Sequence, residues 1–289
     1  MTQLVEEAGY KAGILAEALP YIRRYRGQTV VLKIGGAPLD DPLRAALVAG
    51  DIALLSMVGI EVVVVHGGGP QVSAAMVRVG IEPRFIGGLR YTDDEAIHIV
   101  QQVLTGSINP ALVARLNASG IRAVGCAGTD AGLLRAEASS APSGESLGRV
   151  GRVTDVNGTY LRDLLAGGYT PVVASVAVDE HGRALNVNAD EVAGAVAAAL
   201  GASKVVFLTN VEGLYRDLGD SGSLISELKS GELGAMLDDL SPGIRPKVAG
   251  ALQALSGGVP KAHILDGRVD HALLLEIFTD SGIGTQVTA

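Results

Sequence analysis

The chain has 289 residues, a formal net charge of −8 and a pI near 5.1, with 48% hydrophobic residues but only 3% aromatic ones. That length supports one large or two modest domains. The acidic balance and scarcity of rings argue against nucleic acid as a partner, which would need a basic surface and stacking platforms. The single cysteine, Cys126, excludes an internal disulfide; set in the apolar run 121–127, it reads as a buried structural thiol in a reducing compartment. With no apolar run of membrane length and acids near its start, the chain is expected to be soluble and cytoplasmic.

Residues 4–26 carry a helical pattern, with Ile14, Leu15, Ala18, Leu19 and Ile22 on one stripe and Pro20 expected to kink or split it. The stripe needs covering, by the chain itself or by a neighbouring subunit. Thr29 to Ile34 follows as the first strand, with Lys33 at its carboxyl end beside Gly35-Gly36. Ligands of open α/β sheets collect there. A lysine at that place is an edge residue or a phosphate ligand, and the adjacent glycines favour the ligand.

A helix over 41–58 leads to the stretch around which the chain is organised, Val62-Val63-Val64-Val65-His66-Gly67-Gly68-Gly69-Pro70-Gln71. Four valines read as a strand buried on both faces, as in a parallel sheet. The glycines let the backbone turn sharply and approach a ligand, and Pro70 suits the first turn of a helix. Strand, glycine turn and helix N-terminus together make an anion site. It is neither a Walker A loop nor a Rossmann fingerprint, since Val72 stands where the latter needs a small residue.

Next, Gly87-Gly88-Leu89-Arg90 reads as a hairpin or loop presenting Arg90, Thr92-Asp93-Asp94-Glu95 as a capping box, and Asn109-Pro110 as the cap of a helix closed by Gly120. A strand is expected at 121–126. Residues 133–156 read as short strands around a polar loop, forming a flap on the sheet edge. Another strand spans 171–176, with a hairpin tip at 179–182. In Asn186-Val187-Asn188-Ala189-Asp190, alternation sets Asn186, Asn188 and Asp190 on one side, ahead of a helix over 191–200. Alone, Asp190 would be an N-cap; with both asparagines aligned, a substrate-orienting cluster is the better reading. A strand at 205–209 ends in the loop 210–215, and helices follow near 230–238 and 247–256. Lys247 opens its helix, where a cation opposes the dipole and calls for an anion. His263 lies on a strand at 261–265, before an apolar helix at 271–278 and a glycine loop at 280–285. The alternation of strands and helices predicts one compact α/β fold without a flexible linker.

Two glycine turns, two lysines, an Asn/Asn/Asp cluster and one loop arginine suit phosphoryl transfer, in which a protein aligns its reactants and neutralises charge on the transferring oxygens. A carboxylate acceptor is already ionised at neutral pH, so no general base is required.

Lys33-Ile34-Gly35-Gly36, His66 to Gln71, Gly88-Leu89-Arg90, Asn186 to Asp190 and Pro246-Lys247 resemble, in this order, the motifs of the amino acid kinase family, and within it the acetylglutamate kinase branch. The resemblance covers nearly the whole chain. It implies a three-layer sandwich around a mainly parallel open sheet, with an extra N-terminal helix at 1–28 for oligomerisation, an acetylglutamate-binding lobe at 29–180 and an ATP-binding lobe at 181–289. The activity implied is ATP-dependent phosphorylation of the γ-carboxylate of N-acetyl-L-glutamate, in arginine biosynthesis. Lys33 and Lys247 would stabilise the phosphoryl group, Asp190 would orient both, and Gly36 and Gly68 would offer N–H groups. Gly68, Gly69, Arg90, Asn186 and Asn188 would hold the acceptor; Gly35, Thr209, Asn210, Gly213, Leu214 and Tyr215 would hold ATP. Mg2+ would be bound by phosphates and water, with no protein ligand. The N-terminal helix resembles that of arginine-inhibited hexamers built as trimers of dimers, which implies an L-arginine site at Tyr21, His263, Glu276, Gly282 and Gly284. Read without the resemblance, Glu276 is a charge on a helix surface. The chain departs from the common pattern at Ala37-Pro38-Leu39, Thr129, Asn210 and 241–245. Two alternatives stand beside the leading one: a kinase for a different N-acylated acidic amino acid, and a catalytically inactive sensor of arginine or nucleotide.

Overall fold

The computed structural model describes residues 2–35, 41–141, 143–217, 219–237, 240–241, 243–279 and 283–289. Helix α1 (Thr2–Tyr25) precedes β1 (Thr29–Ile34), α2 (Pro42–Met57), β2 (Glu61–His66) and α3 (Gly69–Arg78). A small hairpin, β3 (Phe85–Ile86) and β4 (Leu89–Arg90), leads to α4 (Asp94–Val103) and α5 (Asn109–Ala118), which are joined by a π-helical turn at Leu104–Ile108. Then come β5 (Ala123–Cys126), β6 (Leu134–Ser140), β7 (Ser146–Val156), α6 (Gly158–Ala166), β8 (Thr170–Ala174), β9 (Val176–Val178) and β10 (Ala184–Val187). The rest comprises α7 (Ala189–Leu200), β11 (Lys204–Thr209), β12 (Leu214–Tyr215), β13 (Leu224–Ile225), β14 (Glu227–Lys229), α8 (Ser230–Met236), α9 (Arg245–Ser256), β15 (Lys261–Asp266), α10 (Ala272–Phe278) and β16 (Thr285–Thr288).

Eight strands form the central sheet in the order β14-β16-β15-β11-β1-β2-β8-β5, parallel except where β15 meets β16. The valine run shows why helices cover both faces. Because successive side chains alternate, Val62 and Val64 enter one core, with Ile52 and Leu55 of α2 and Leu116 of α5. Val63 and Val65 enter the other, with Val192 and Val196 of α7 and Val248 of α9. Those two cores are the outer seams of a three-layer sandwich. No helix among the described residues is long and apolar enough to cross a membrane.

Several local expectations are corrected. Residues 133–156 are not a flap on the sheet edge: β6 and β7 close with β9 and β10 into a small four-stranded barrel, in which their edges are paired. The strand expected over 171–176 is divided between the sheet and this barrel at Ser175. Helix α1 runs on through Pro20. Asp93, not Thr92, caps α4, its carboxylate accepting from the N–H groups of Glu95 and Ala96; Thr92 is fully buried and bridges to Gly148 of β7. Asn109 caps nothing, because the helical path runs straight into it from the π turn.

Candidate active site

The parallel topology collects the glycine turns at the carboxyl ends of β1, β2 and β11. Lys33 on β1 is 8% exposed and its Nζ lies 2.9 Å from Asp190 Oδ1. From the other side, Lys247 Nζ lies 3.9 Å from Asp190 Oδ2 and donates to the Gly243 carbonyl at 2.9 Å. The anion that the placement of Lys247 calls for is thus within the protein. Asp190 does not cap its own helix: Asn188 does, its Oδ1 accepting from the Asp190 N–H at 2.8 Å. That leaves the Asp190 carboxylate for the two lysines. Burial pulls the Lys247 ammonium below its ordinary value, against the pull of Asp190. Two ammonium groups around one buried carboxylate leave one positive charge over, and a buried surplus charge is eased by an incoming anion.

Glycines set this spacing. A Cβ on Gly250 of α9 would lie 2.4 Å from the Asp190 carbonyl oxygen, and one on Gly194 of α7 would lie 2.4 Å from the Gly250 oxygen. The two helices therefore approach through their backbones, which brings Lys247 to Asp190. Gly35 sits beneath the Lys33 ammonium, where a Cβ would be 2.7 Å from Nζ. Gly36 lies outside the described residues.

The glycine turn after β2 borders a cavity of about 250 Å³ lined by Gly68, Gly69, Arg90, Asn186 and Asn188, among others. All five residues expected to hold the acceptor are therefore together. Arg90 is held in place: its Nη2 donates to the Gly69 carbonyl at 2.8 Å and to Ser73 Oγ at 2.7 Å, and its guanidinium lies 4.9 Å from the centre of the Phe85 ring. Asn186 Nδ2 donates to Thr92 Oγ1 at 3.2 Å. The expected nucleotide segment begins at the carboxyl end of β11, beside β1. Thr209 is buried and its Oγ1 accepts from the Val211 N–H at 2.8 Å; the Leu214 N–H donates to Thr285 Oγ1 at 2.8 Å; Tyr215 bonds Glu212; Asn210 is exposed. Gly213 packs so tightly on Thr285 that a Cβ would lie 2.7 Å from its Oγ1.

Sequence reasoning missed three buried or cavity-lining residues beside the site. Glu191 lines the cavity and its Oε1 accepts from the Val153 N–H at 2.6 Å, tying the barrel to α7 beside Asp190; burial pushes its carboxyl up. His66 and Asn109 are buried behind the glycine turn and bonded to each other at 3.0 Å. Only the position of His66 at the end of the valine strand hinted at it.

A second cavity, of about 410 Å³, lies at the amino end of β11. Tyr21, His263, Glu276 and Gly284 line it together; Gly282 lies outside the described residues. Glu276 is no helix-surface charge. It is 7% exposed, with Lys204 Nζ at 2.8 Å and His263 Nδ1 at 2.7 Å. Burial pulls His263 below its ordinary value; burial alone would raise Glu276, but His263 and Lys204 outweigh it and hold that carboxyl low.

With this geometry in view, the relatives are informative. The chain is 51% identical to the acetylglutamate kinase of Arthrobacter sp. strain FB24, over 99% of this chain and 95% of that protein. Among solved structures, N-acetylglutamate synthase from Neisseria gonorrhoeae complexed with coenzyme A and N-acetyl-glutamate superposes with a TM-score of 0.85 at 30% identity, covering 96% of this chain. The same synthase complexed with coenzyme A and L-arginine gives 0.82 at 28% identity, also over 96% of this chain. The chain spans 63% and 65% of those two synthase chains. The sequence profile of the amino acid kinase family matches residues 28–266, a span that holds every described residue expected at the acceptor and phosphoryl sites. Lysine pair, glycine turn and sheet order thus agree with the sequence match: this chain belongs to the amino acid kinase family.

Proposed function

We propose that this chain transfers the γ-phosphoryl group of ATP to the γ-carboxylate of N-acetyl-L-glutamate, as an acetylglutamate kinase, in arginine biosynthesis. The observation that carries this reading is the Lys33–Asp190–Lys247 trio beside a cavity that presents Arg90 and the Gly68–Gly69 turn. A carboxylate oxygen of the acceptor attacks the γ-phosphorus while the bond to the β–γ bridging oxygen breaks, giving an acyl phosphate and ADP. The two ammonium groups meet the charge spreading over the phosphoryl oxygens, Asp190 keeps both aimed, and the Gly68 N–H adds a fixed dipole. Arg90 offers the acceptor's other carboxylate a planar fork.

Among the described residues, no group of three or more His, Cys, Asp or Glu is placed to hold a metal, and both Asp190 oxygens already face lysines. A magnesium ion that accompanies ATP would be held by phosphate oxygens and water. Residues 29–180 would then form the acceptor lobe and 181–289 the nucleotide lobe.

We propose further that the 410 Å³ cavity is an L-arginine site and that α1 joins dimers into a hexamer. Glu276 offers a carboxylate for a guanidinium, while Lys204 and Lys261 line the cavity as partners for a carboxylate. Helix α1 leaves Ile14 at 49% and Leu19 at 44% exposure, an apolar stripe that a neighbouring subunit would cover. The single buried thiol fits a cytoplasmic setting.

A coupled ADP-release assay with N-acetyl-L-glutamate, glutamate and N-acetyl-2-aminoadipate, with and without arginine, tests all of this. Turnover with acetylglutamate alone, falling on addition of arginine, is expected. Turnover with another acceptor only would overturn the substrate, and ligand-induced stabilisation without turnover would turn the reading to a sensor.

A further inference from the structure

His66 and Asn109 are buried side by side, with His66 at 0% and Asn109 at 5% exposure, and neither has a role in the chemistry above. Their hydrogen bonds nevertheless run in one direction. The Val172 carbonyl on β8 can only accept, and Asn109 Nδ2 lies 2.8 Å from it. That contact fixes which way the amide faces. Nδ2 is also 3.0 Å from His66 Nε2, so this ring nitrogen must be the acceptor and carry no proton. In a neutral imidazole the proton then sits on Nδ1. Nδ1 lies 3.0 Å from the Gly67 carbonyl oxygen, to which it donates. Burial pushes the His66 ring down to about 4, so it is neutral at physiological pH.

A trans peptide is planar, and its C=O and the following N–H point in opposite directions. With the Gly67 oxygen held toward the buried ring, the Gly68 N–H is turned the other way, toward the cavity that Gly68 lines. The π turn holds both ends of this arrangement. Its extra width lets the Asn109 N–H reach back five residues to the Leu104 carbonyl, and it sets Ile108 and Leu104 so close to Gly68 that a Cβ there would lie 2.2 Å and 2.8 Å from them. On the far side Gly125 makes room for the amide, since a Cβ there would lie 2.1 Å from Asn109 Oδ1. π turns of this kind are frequent at functional sites.

We infer that Asn109 and His66 are positioning residues that set the tautomer of the imidazole and thereby aim the Gly68 N–H at the transferring phosphoryl group. The inference rests on the kinase reading of this site, so wild-type turnover must be established alongside it. Without wild-type turnover the kinase reading fails by itself, and the tautomer remains to be judged by spectroscopy.

The first test is 15N-histidine NMR of the wild-type protein near neutral pH, which separates the five histidines and reports which nitrogen of each is protonated. His66 is expected as the Nδ1–H tautomer; an Nε2–H tautomer overturns the inference. The second is Asn109→Asp, nearly the same shape with the opposite polarity. Its carboxylate accepts a proton from Nε2, so the neutral ring no longer donates to Gly67. kcat should fall about 10²-fold at pH 8, the scale of one lost oxyanion donor, with the KM for ATP changing far less. The carboxylate also favours imidazolium, which regains the Nδ1 proton. The lost kcat should therefore return as the pH falls, while the wild type lacks this titration. Because the aspartate also faces the Val172 carbonyl, the unfolding midpoint is followed at the same pH values. A kcat that only tracks that midpoint assigns the pair to folding and overturns the inference, whereas recovery of kcat in fully folded protein supports it. Asn109→Ala covers the case in which the aspartate does not fold and should also lose kcat; a folded variant that turns over like the wild type refutes the relay.

Discussion

The α7–α9 approach gives the sharpest test of how the lysines are placed. In Gly250→Ala the new methyl would sit 2.4 Å from the Asp190 oxygen, roughly 1 Å short of a normal carbon–oxygen contact of about 3.3–3.6 Å. Gly250 is helical, so alanine is favoured there by about 1 kcal/mol on backbone grounds. Overpacking costs typically about 1–3 kcal/mol. The fold should survive with a modest loss of stability, and the strain should appear in the active site, where Lys247 already stands 3.9 Å from Asp190. A misplacement on the order of 1 Å can cost about 10²-fold in rate, or about 2.7 kcal/mol on the barrier. ADP release at saturating substrates should show kcat reduced by about that factor, with KM values little changed. Gly234→Ala on α8, where a Cβ meets nothing within 4 Å, is the control and should match the wild type. A folded Gly250→Ala that retains wild-type kcat would refute the argument that backbone approach positions the lysine.

Other outcomes follow from single contacts. Arg90→Lys keeps the charge but loses the fork that contacts Gly69 and Ser73, so the KM for the acceptor should rise about tenfold or more while that for ATP holds; equal changes in both would refute the assignment. The His271 imidazolium is paired with the buried Asp51 carboxylate at 2.7 Å, which raises the His271 value. Its contribution to stability is therefore complete below the unfolded value of about 6.5 and is lost as pH rises through the folded one. Denaturation of His271→Gln should show its deficit at pH 5.5 and little at pH 9, and an equal deficit at both would exclude the ion pair as its source. Burial pushes the Cys126 thiol up to about 11. A thiol reagent at pH 8 should therefore react with it only on unfolding, and rapid reaction in the native protein would contradict that burial.

Much of this was legible in the chain because it follows from short-range rules. The valine run announced a doubly covered parallel strand, and the glycines after Lys33 and Val65 marked the carboxyl edge where ligands gather. Lys247 could be read from its conflict with a helix dipole, which the structure resolves with Asp190. Caps were harder. Asn109 before proline looks like a helix start, yet its amide is taken by Val172 and His66, partners 63 and 43 residues away. Thr92 looks like a cap but is drawn into the β7 ladder, leaving the role to Asp93. The barrel was missed for the same reason: β6 pairs with both β7 and β9, and no local pattern reports which of several short strands will meet. Glu276 on α10 could not be told from a surface charge, because Lys204 and His263 reach it from two strands far away in sequence.

The π turn at Leu104–Ile108 has one residue more than an α-helix would use. Deleting Gly106, which is exposed and where a Cβ would meet nothing within 4 Å, would remove the surplus residue together with a poor helix former, although Pro110 would still deny the helix one N–H. The Asn109 N–H would then reach Leu104 across four residues instead of five, and the widened turn would close to an ordinary α-helical one while the helix on either side keeps its phase. What would be lost is the extra width through which Leu104 and Ile108 both press on the glycine turn at Gly68. Aligned against the parent, such a variant would show a single gap in 289 positions, with each residue assigned to catalysis unchanged. The width of one helical turn is information that identity scores do not weigh, and any redesign that regularises this backbone would erase it.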